Sequence, residues 1–370
     1  MQNRRQWLQS SLGIGGLLLA PSSLLTAQER ELFRPRPLAD LVRLSSNENP
    51  YGPSKKVQEA INTAFGHACR YPYQYSDALA EKLAKKHGVG PESIIITGGS
   101  TEGLKVSGLT FAHSGGEIIA GQPTFLAMMT YAEQWGAKIN WVPVNENKGY
   151  DLNSIAQRVN ANTKMIFLCN PNNPTGTLLP ARQLEDFCSS VSKKAIVFSD
   201  EAYYDFIETP DYPSMDALVR KGENVIVSKT FSKVYGLAGL RIGYLIAKPS
   251  IAAAIRKNVV AMSNVLAIAA ADAALQDDAF YKFSLAKNKE AKDKIYTVLD
   301  YLKLPYVRSS TNFVFFHSKK DIRDLGPQML EEGVRIGRPF PPFYDWCRIS
   351  TGTLEEVDRF VDGMLKVYKG

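Results

Sequence analysis

Ser228-Lys229-Thr230-Phe231-Ser232-Lys233-Val234-Tyr235-Gly236-Leu237-Ala238-Gly239-Leu240-Arg241-Ile242-Gly243 places one lysine, Lys233, among hydroxyls and small residues, with an arginine eight positions on. A lone lysine is ordinarily a solvated surface residue, so its neighbours decide how it is read. A lysine facing a carbonyl cofactor can condense with it. Burial and a nearby cation lower its pKa and expose the nucleophilic amine. The stretch begins in a β-rich apolar run, Asn224–Ser228, and leads into another, Leu240–Ile246. It therefore lies at the end of a strand, where open α/β sheets bind their ligands.

Upstream, three more turns sit in comparable places. Ser199-Asp200-Glu201-Ala202-Tyr203-Tyr204 follows an apolar strand. A carboxylate at Asp200 would be partly buried and would need a cationic or N–H partner, though a plain helix N-cap fits the local sequence equally. Cys169-Asn170-Pro171-Asn172-Asn173-Pro174-Thr175-Gly176 is too rich in proline to continue a sheet. Its density of amides favours a binding turn over a mere tight corner. Thr97-Gly98-Gly99-Ser100-Thr101-Glu102 is a glycine-rich turn before a helix. Such a turn offers N–H groups, hydroxyls and a helix dipole to a phosphate, and a simple capped helix start is the plainer alternative.

Between these turns, strands alternate with helices. Ser93–Thr97, Glu117–Ala120, Lys138–Val142, Lys164–Cys169 and Lys194–Ser199 read as further strands, several of them continuously apolar. Ser54–Phe65 and Ser76–His87 read as helices with Ser54 and Ser76 as N-caps, followed by helices at Thr101–Phe111 and Phe125–Trp135. The pattern predicts an α/β domain with a mixed, mostly parallel sheet over residues 54–249. Beyond Pro249 it changes to long helical stretches up to Lys303. Strands at Asn312–His317 and Cys347–Ser350 and helices at Ile322–Glu332 and Glu355–Tyr368 follow. Residues 250–370 are thus expected to form a small α+β domain, joined by an extended proline-rich arm at 28–53.

Residues 1–27 are read apart. They contain no acidic residue, open with Arg4-Arg5, and continue through a short apolar run from Leu12 to Ala20 to a plausible cleavage site at Leu24-Leu25-Thr26-Ala27. That is the layout of an export signal, and the paired arginines resemble a twin-arginine signal, which carries folded proteins to the periplasm. A disordered basic tail or an uncleaved anchor is the alternative. The apolar run is too short to span a bilayer, so no stable membrane insertion is expected once the signal is removed.

Of 370 residues 45% are hydrophobic and 22% charged, and Arg4 and Arg5 supply two of the net +7 charges. No basic block or aromatic-basic stripe argues for nucleic acid. The four histidines have no metal-ligand spacing, so no metal site is expected. Cys69, Cys169, Cys188 and Cys347 form no CxxC pair and are expected as free thiols.

Taken together, these segments resemble the class I/II aminotransferases of pyridoxal-5′-phosphate (PLP) fold-type I, and within them the histidinol-phosphate aminotransferase group. The resemblance also rests on Ser45-Ser46-Asn47-Glu48-Asn49-Pro50-Tyr51-Gly52-Pro53, Arg70-Tyr71-Pro72 and Cys347-Arg348-Ile349-Ser350-Thr351-Gly352-Thr353, and it runs in order from about residue 40 to 368. It implies PLP held as a Schiff base by Lys233, which also moves the proton. It implies Asp200 on the pyridine nitrogen, Asn173 and Tyr203 on the ring's phenolic oxygen, and Ser100, Thr101, Ser232 and Arg241, with Thr230, on the phosphate. Tyr71 would reach the phosphate in a neighbouring subunit, making a homodimer with shared sites. Phe125 would stack on the ring, unless it is plain helix core. Arg348 would grip the substrate carboxylate as a bidentate pair.

Asn49, Tyr51 and Arg338 are the remaining substrate-side candidates. Arg335 or Arg338 would supply a second anion contact, and Tyr51, Phe340, Phe343 and Trp346 suit an aromatic or imidazole side chain or simple packing. The implied reaction passes an amino group between an amino acid, or a histidinol-phosphate-like amine, and a 2-oxo acid in two half-reactions. A threonine-phosphate decarboxylase, with the same fold and very similar motifs, is the nearest alternative. An exported, non-catalytic solute-binding protein is the reading from another class. Two features depart from the group's pattern: Thr101 where an acidic residue is usual, and the aromatic, proline-rich segment 333–343.

Overall fold

A computed structural model describes residues 41–369. The export-signal reading of residues 1–27, and the arm as far as residue 40, lie outside the described residues.

The arm enters as a short strand, β1 (Val42–Arg43), and crosses to α1 (Lys55–Ala64), where Ser54 accepts a hydrogen bond from the Val57 N–H as its N-cap. Helix α2 (Tyr73–His87) begins three residues before the expected Ser76. Its N-cap is Pro72, and the Ser76 N–H is already bonded to the Pro72 carbonyl at 2.9 Å. Gly88 closes it in the left-handed conformation (φ 65°), after a last turn carrying Lys85, Lys86 and His87 that suits the helix dipole.

The large unit continues as β2 (Ile94–Thr97), α3 (Ser100–Ala112), β3 (Glu117–Gln122), α4 (Ala127–Glu133), β4 (Lys138–Pro143), α5 (Leu152–Arg158), β5 (Thr163–Cys169), α6 (Ala181–Val191), β6 (Ile196–Asp200), α7 (Asp216–Arg220), β7 (Val225–Thr230) and β8 (Gly243–Ala247). Helices α5, α6 and α7 had no sequence expectation. Strand β8 starts at Gly243, not Leu240, because residues 238–240 form a 3₁₀ turn.

Seven strands form one sheet in the order β2-β8-β7-β6-β5-β3-β4. The pairs from β7 to β4 are parallel, and β8 runs antiparallel to both its neighbours. The sheet is mixed and mostly parallel, as expected. Both of its faces are covered, which explains the continuous apolar runs. Along β5, Ile166 and Leu168 enter one hydrophobic core while Met165 and Phe167 enter the other.

Then follow α8 (Pro249–Arg256), α9 (Val265–Ala274), α10 (Asp278–Tyr301), β9 (Tyr306–Val307), β10 (Phe313–His317), α11 (Ile322–Glu331), β11 (Val334–Arg335), β12 (Trp346–Ser350) and α12 (Leu354–Lys369). A division at 249/250 assigns α8 and α9 to the small unit, but both pack in the large unit's cores, through Ile251 and Ile255 and through Ala267 and Ala271. The small core gathers Ala291, Ile295 and Leu299 of α10 with Phe316, Ile349 and Phe360. Val42 and Leu44 join it, with β1 lying parallel to β11, so the arm belongs to this unit. Helix α10 spans both, since Tyr281 and Leu285 near its start pack on the large unit's core.

Candidate active site

Sheet register carries the four sequence turns to one edge. Cys169, Asp200 and Ser228 are register partners across β5, β6 and β7. Gly243 pairs with Thr97 on one side and Thr230 on the other. The amide turn after β5, the carboxylate ending β6, the lysine loop after β7 and the glycine turn after β2 therefore lie side by side at the strand ends.

The glycine turn and the start of β8 form a tight cradle. A methyl group added at Gly99 (φ 84°) would lie 2.6 Å from Arg241 Nη2, and one at Gly243 would lie 2.9 Å from the Ser100 nitrogen and 2.8 Å from the Lys229 carbonyl oxygen. Helix α3 starts here, and the N–H groups of Ser100 and Thr101 in its first turn have no position in the helical ladder. Glu102 turns back to accept from the Gly98 N–H at 2.5 Å, tying the turn from within. Arg241 is itself left-handed (φ 55°) and donates to the Ala238 carbonyl at 2.8 Å. Thr230 donates to Ser232 Oγ at 3.0 Å and accepts the Ser232 N–H, so it orients the serine. A helix start, two hydroxyl residues and an arginine around glycines that admit no side chain suit a phosphate.

Asp200 is buried, and its Oδ1 has no hydrogen-bond partner among the described residues. Burial, with the Glu201 charge, raises its pKa to about 7. A buried carboxylate oxygen without a partner fits a protonated ring nitrogen, which would return the group to the ionised state. Lys233 donates to the main-chain carbonyls of Asn47 at 2.9 Å and Ser46 at 3.4 Å. Burial, then the Arg348 and Arg241 charges, brings its pKa down to about 8, so a useful fraction is free amine near neutrality.

The three asparagines of the amide turn divide their work. Asn170 spans the turn, donating to Tyr212 Oη and accepting the Leu179 N–H. Asn172 binds Thr124, Tyr150 and Thr175. Asn173 faces the site. Its Oδ1 accepts from Arg348 Nη1 at 2.7 Å and its Nδ2 donates to Tyr203 Oη at 3.3 Å. Arg348 also donates to the Ser45 carbonyl, and its Nε has no partner among the described residues. Burial lowers its pKa to about 10.

Arg338 and Arg348 both approach one ring. Their guanidinium carbons lie 4.4 and 4.8 Å from the Phe340 centroid. Burial, and then Arg348, lowers the pKa of Arg338 to about 10. Arg335 sits instead on β11, in register with Arg43. The pair Arg338 and Arg348 therefore forms the local cationic patch. Phe315, Phe343 and Trp346 extend it as an aromatic wall, with Lys148 at 4.8 Å from the Trp346 ring centroid.

Three further residues have other engagements. Asn49 donates to the Val234 carbonyl and to Ser284 Oγ, fastening the arm to the lysine loop. Tyr51 meets Phe283 edge-on at 5.2 Å. Phe125, half-buried, precedes α4 and packs against one core of the sheet. Tyr71 is 81% exposed. Asn47 was not a candidate from sequence, although it lies inside a quoted motif. It is buried beneath Lys233 and donates to Tyr203 Oη at 2.9 Å.

The profile of the family "Aminotransferase class I and II" matches residues 39–364. The chain belongs to the class I and II aminotransferases. A histidinol-phosphate aminotransferase of Moorella thermoacetica is 38% identical over 91% of this chain and 88% of its own. One from Halalkalibacterium halodurans is 36% identical over 87% of each. The crystal structure of histidinol-phosphate aminotransferase from Sinorhizobium meliloti in complex with PLP superposes with a TM-score of 0.83 at 28% identity, covering 96% of each chain. A threonine-phosphate decarboxylase of Porphyromonas gingivalis shares the fold at 22% identity. This chain is a PLP-dependent aminotransferase of fold-type I, and the non-catalytic binding-protein reading is set aside.

Proposed function

We propose that this aminotransferase moves an amino group between an amine carrying a phosphate or a second carboxylate, histidinol phosphate foremost, and a 2-oxo acid. The observation that carries the proposal is the pair of guanidiniums gathered within 5 Å of the Phe340 ring centroid, at 4.4 and 4.8 Å. Arg348 and Arg338 together hold the phosphate of histidinol phosphate, and with an amino or 2-oxo acid Arg348 binds the α-carboxylate and Arg338 a distal carboxylate. Phe343 and Trp346, partly exposed over the buried Phe315, suit a flat ring beside them. The names of the relatives support the same choice.

Bound PLP supplies a carbonyl for the donor's amine and a protonated ring that withdraws electrons from its α-carbon. Lys233 takes the α-proton at Nζ and returns it on the other side of the reaction. Asp200 holds the ring proton, Asn173 and Tyr203 hold the ring oxygen, and the cradle of Ser100, Thr101, Ser232 and Arg241 holds the phosphate. A donor panel read by the loss of the visible PLP band tests this. Donors with a distal anion should convert the band first. Arg338→Ala should raise KM about tenfold or more for those donors alone, the loss of one charged hydrogen-bond partner. Equal loss for alanine-like donors would sink the assignment. Release of a 2-oxo acid rather than CO₂ from donor alone separates transfer from decarboxylation.

Two further readings belong here. Tyr71, with Phe65 and Tyr73 each 60% exposed nearby, supports a homodimer in which Tyr71 reaches the partner's phosphate cradle. The Arg4-Arg5 segment supports export through the twin-arginine route. Substituting both arginines by lysine should then retain the protein inside the cell.

A further inference from the structure

Asn47 occupies a left-handed turn of the arm (φ 53°) and is 1% exposed. Asparagine is among the few residues that tolerate this conformation. Its main-chain carbonyl accepts from Lys233 Nζ at 2.9 Å and from Asn312 Nδ2 at 3.0 Å. Its N–H donates to Ser350 Oγ at 2.9 Å, and Ser350 Oγ in turn donates to Asn47 Oδ1 at 2.8 Å. With Oδ1 taken by that hydroxyl, Nδ2 is left to donate to Tyr203 Oη at 2.9 Å.

The second amide on Tyr203 is fixed by the same logic. An arginine can only donate, so the atom of Asn173 that meets Arg348 Nη1 is its oxygen. The amide nitrogen of Asn173 therefore faces Tyr203 Oη, at 3.3 Å. The phenol oxygen thus accepts from two amides. Its own proton has no acceptor among the described residues and is left to point away from both.

We propose that Asn47 is a positioning residue of this aminotransferase: its amide occupies an acceptor position of the Tyr203 hydroxyl and so directs the hydroxyl's proton toward the ring oxygen of bound PLP. The inference rests on Tyr203 facing the cofactor ring and is independent of which amine the enzyme uses. A proton donated to the ring oxygen stabilises negative charge there, and so favours the deprotonated form of the bound chromophore. Removing the Asn47 amide frees the tyrosine proton to turn toward other acceptors. The chromophore should then hold its own proton to higher pH.

The test is a spectrophotometric pH titration of the PLP-loaded protein without substrate, for the native sequence, Asn47→Gly, Tyr203→Phe and the double variant. Glycine keeps the left-handed backbone and adds no charge. The expected result is an upward shift of the titration midpoint by about half to one unit in Asn47→Gly, the size of one modest hydrogen bond. No further shift is expected when Asn47→Gly is added to Tyr203→Phe. An equal shift in both backgrounds, or no shift where Tyr203 is intact, overturns the proposal.

If Asn47→Gly does not fold, Asn47→Asp takes its place. It keeps the acceptor for Ser350 but draws the tyrosine proton to itself, and its added charge acts in both backgrounds. A larger shift with Tyr203 present than with Tyr203→Phe supports the proposal, and equal shifts overturn it. Failure of the native protein to form a visible band with PLP would instead remove the lysine assignment on which the inference rests. A normal native band with unmoved variants would remove the inference alone.

Discussion

Among single residues, the chemistry rests on groups whose ordinary ionisation is shifted by their surroundings. Burial and two arginines lower the pKa of Lys233 to about 8. If the free amine of Lys233 captures PLP, capture by the cofactor-free protein should quicken as pH rises and level off just above about 8. The rate of appearance of the visible band measures this. A lysine with the ordinary value of 10.5 would keep accelerating well beyond that point. Lys233→Ala should leave PLP bound only non-covalently, with no borohydride-fixed cofactor. Legibility differed among these residues. Lys233, Asp200 and Asn173 could be picked out because their motifs are short and each residue's neighbours are local. Asn47 and Asn49 share one motif, and nothing in its spacing says which amide turns inward. The left-handed backbone at Asn47 and the contact of Asn49 with Ser284 decide it.

At the scale of elements, the site is built where strands end and glycines let backbones touch. Gly243 lies between Thr97 and Thr230 in the sheet, with no room for a β-carbon. Gly243→Ala should push the start of α3 away from Arg241 and weaken PLP binding about tenfold or more, a cost of roughly 1.4 kcal/mol, measured by equilibrium titration of the reduced-absorbance form. Thermal stability should change less, since the cores on either side are untouched. The arm makes a similar close approach. A methyl group on Gly52 would lie 2.7 Å from Gly236 Cα, which pins the arm to the lysine loop. Strands and long helices were readable because their apolar periods are regular. The starts of α2 and β8 were not. Pro72 satisfies the N-cap position without a side-chain signal, and the 3₁₀ turn before Gly243 carries the same apolar residues a strand would.

For the molecule as a whole, two units meet at the site. The large unit supplies Asp200, Asn173, Tyr203 and Lys233, and the small unit supplies Arg338 and Arg348, with the arm beneath. If Tyr71 completes a partner's cradle, mixing Lys233→Ala and Tyr71→Ala subunits should restore activity to about a quarter of the native level, because half of the dimers then carry one intact site of two. Activity that stays at the level of the separate variants would place Tyr71 outside the reaction. By itself the sequence determined the α/β class, which follows from periodicity, and the cofactor, which follows from the resemblance of its short motifs to a known family. It also showed the arm and a smaller C-terminal unit. Only the tertiary structure decided where the two units divide, since α8 and α9 are apolar helices of no marked allegiance until the cores to which they add Ile255 and Ala271 are seen. It likewise set Arg338 beside Arg348 with Arg335 on β11, and Asn47 beneath Lys233 with Asn49 on the carbonyl of Val234. The place of Asn47 depends on side chains that converge across residues more than a hundred positions apart, Tyr203, Lys233 and Ser350, and neither period nor spacing reports that.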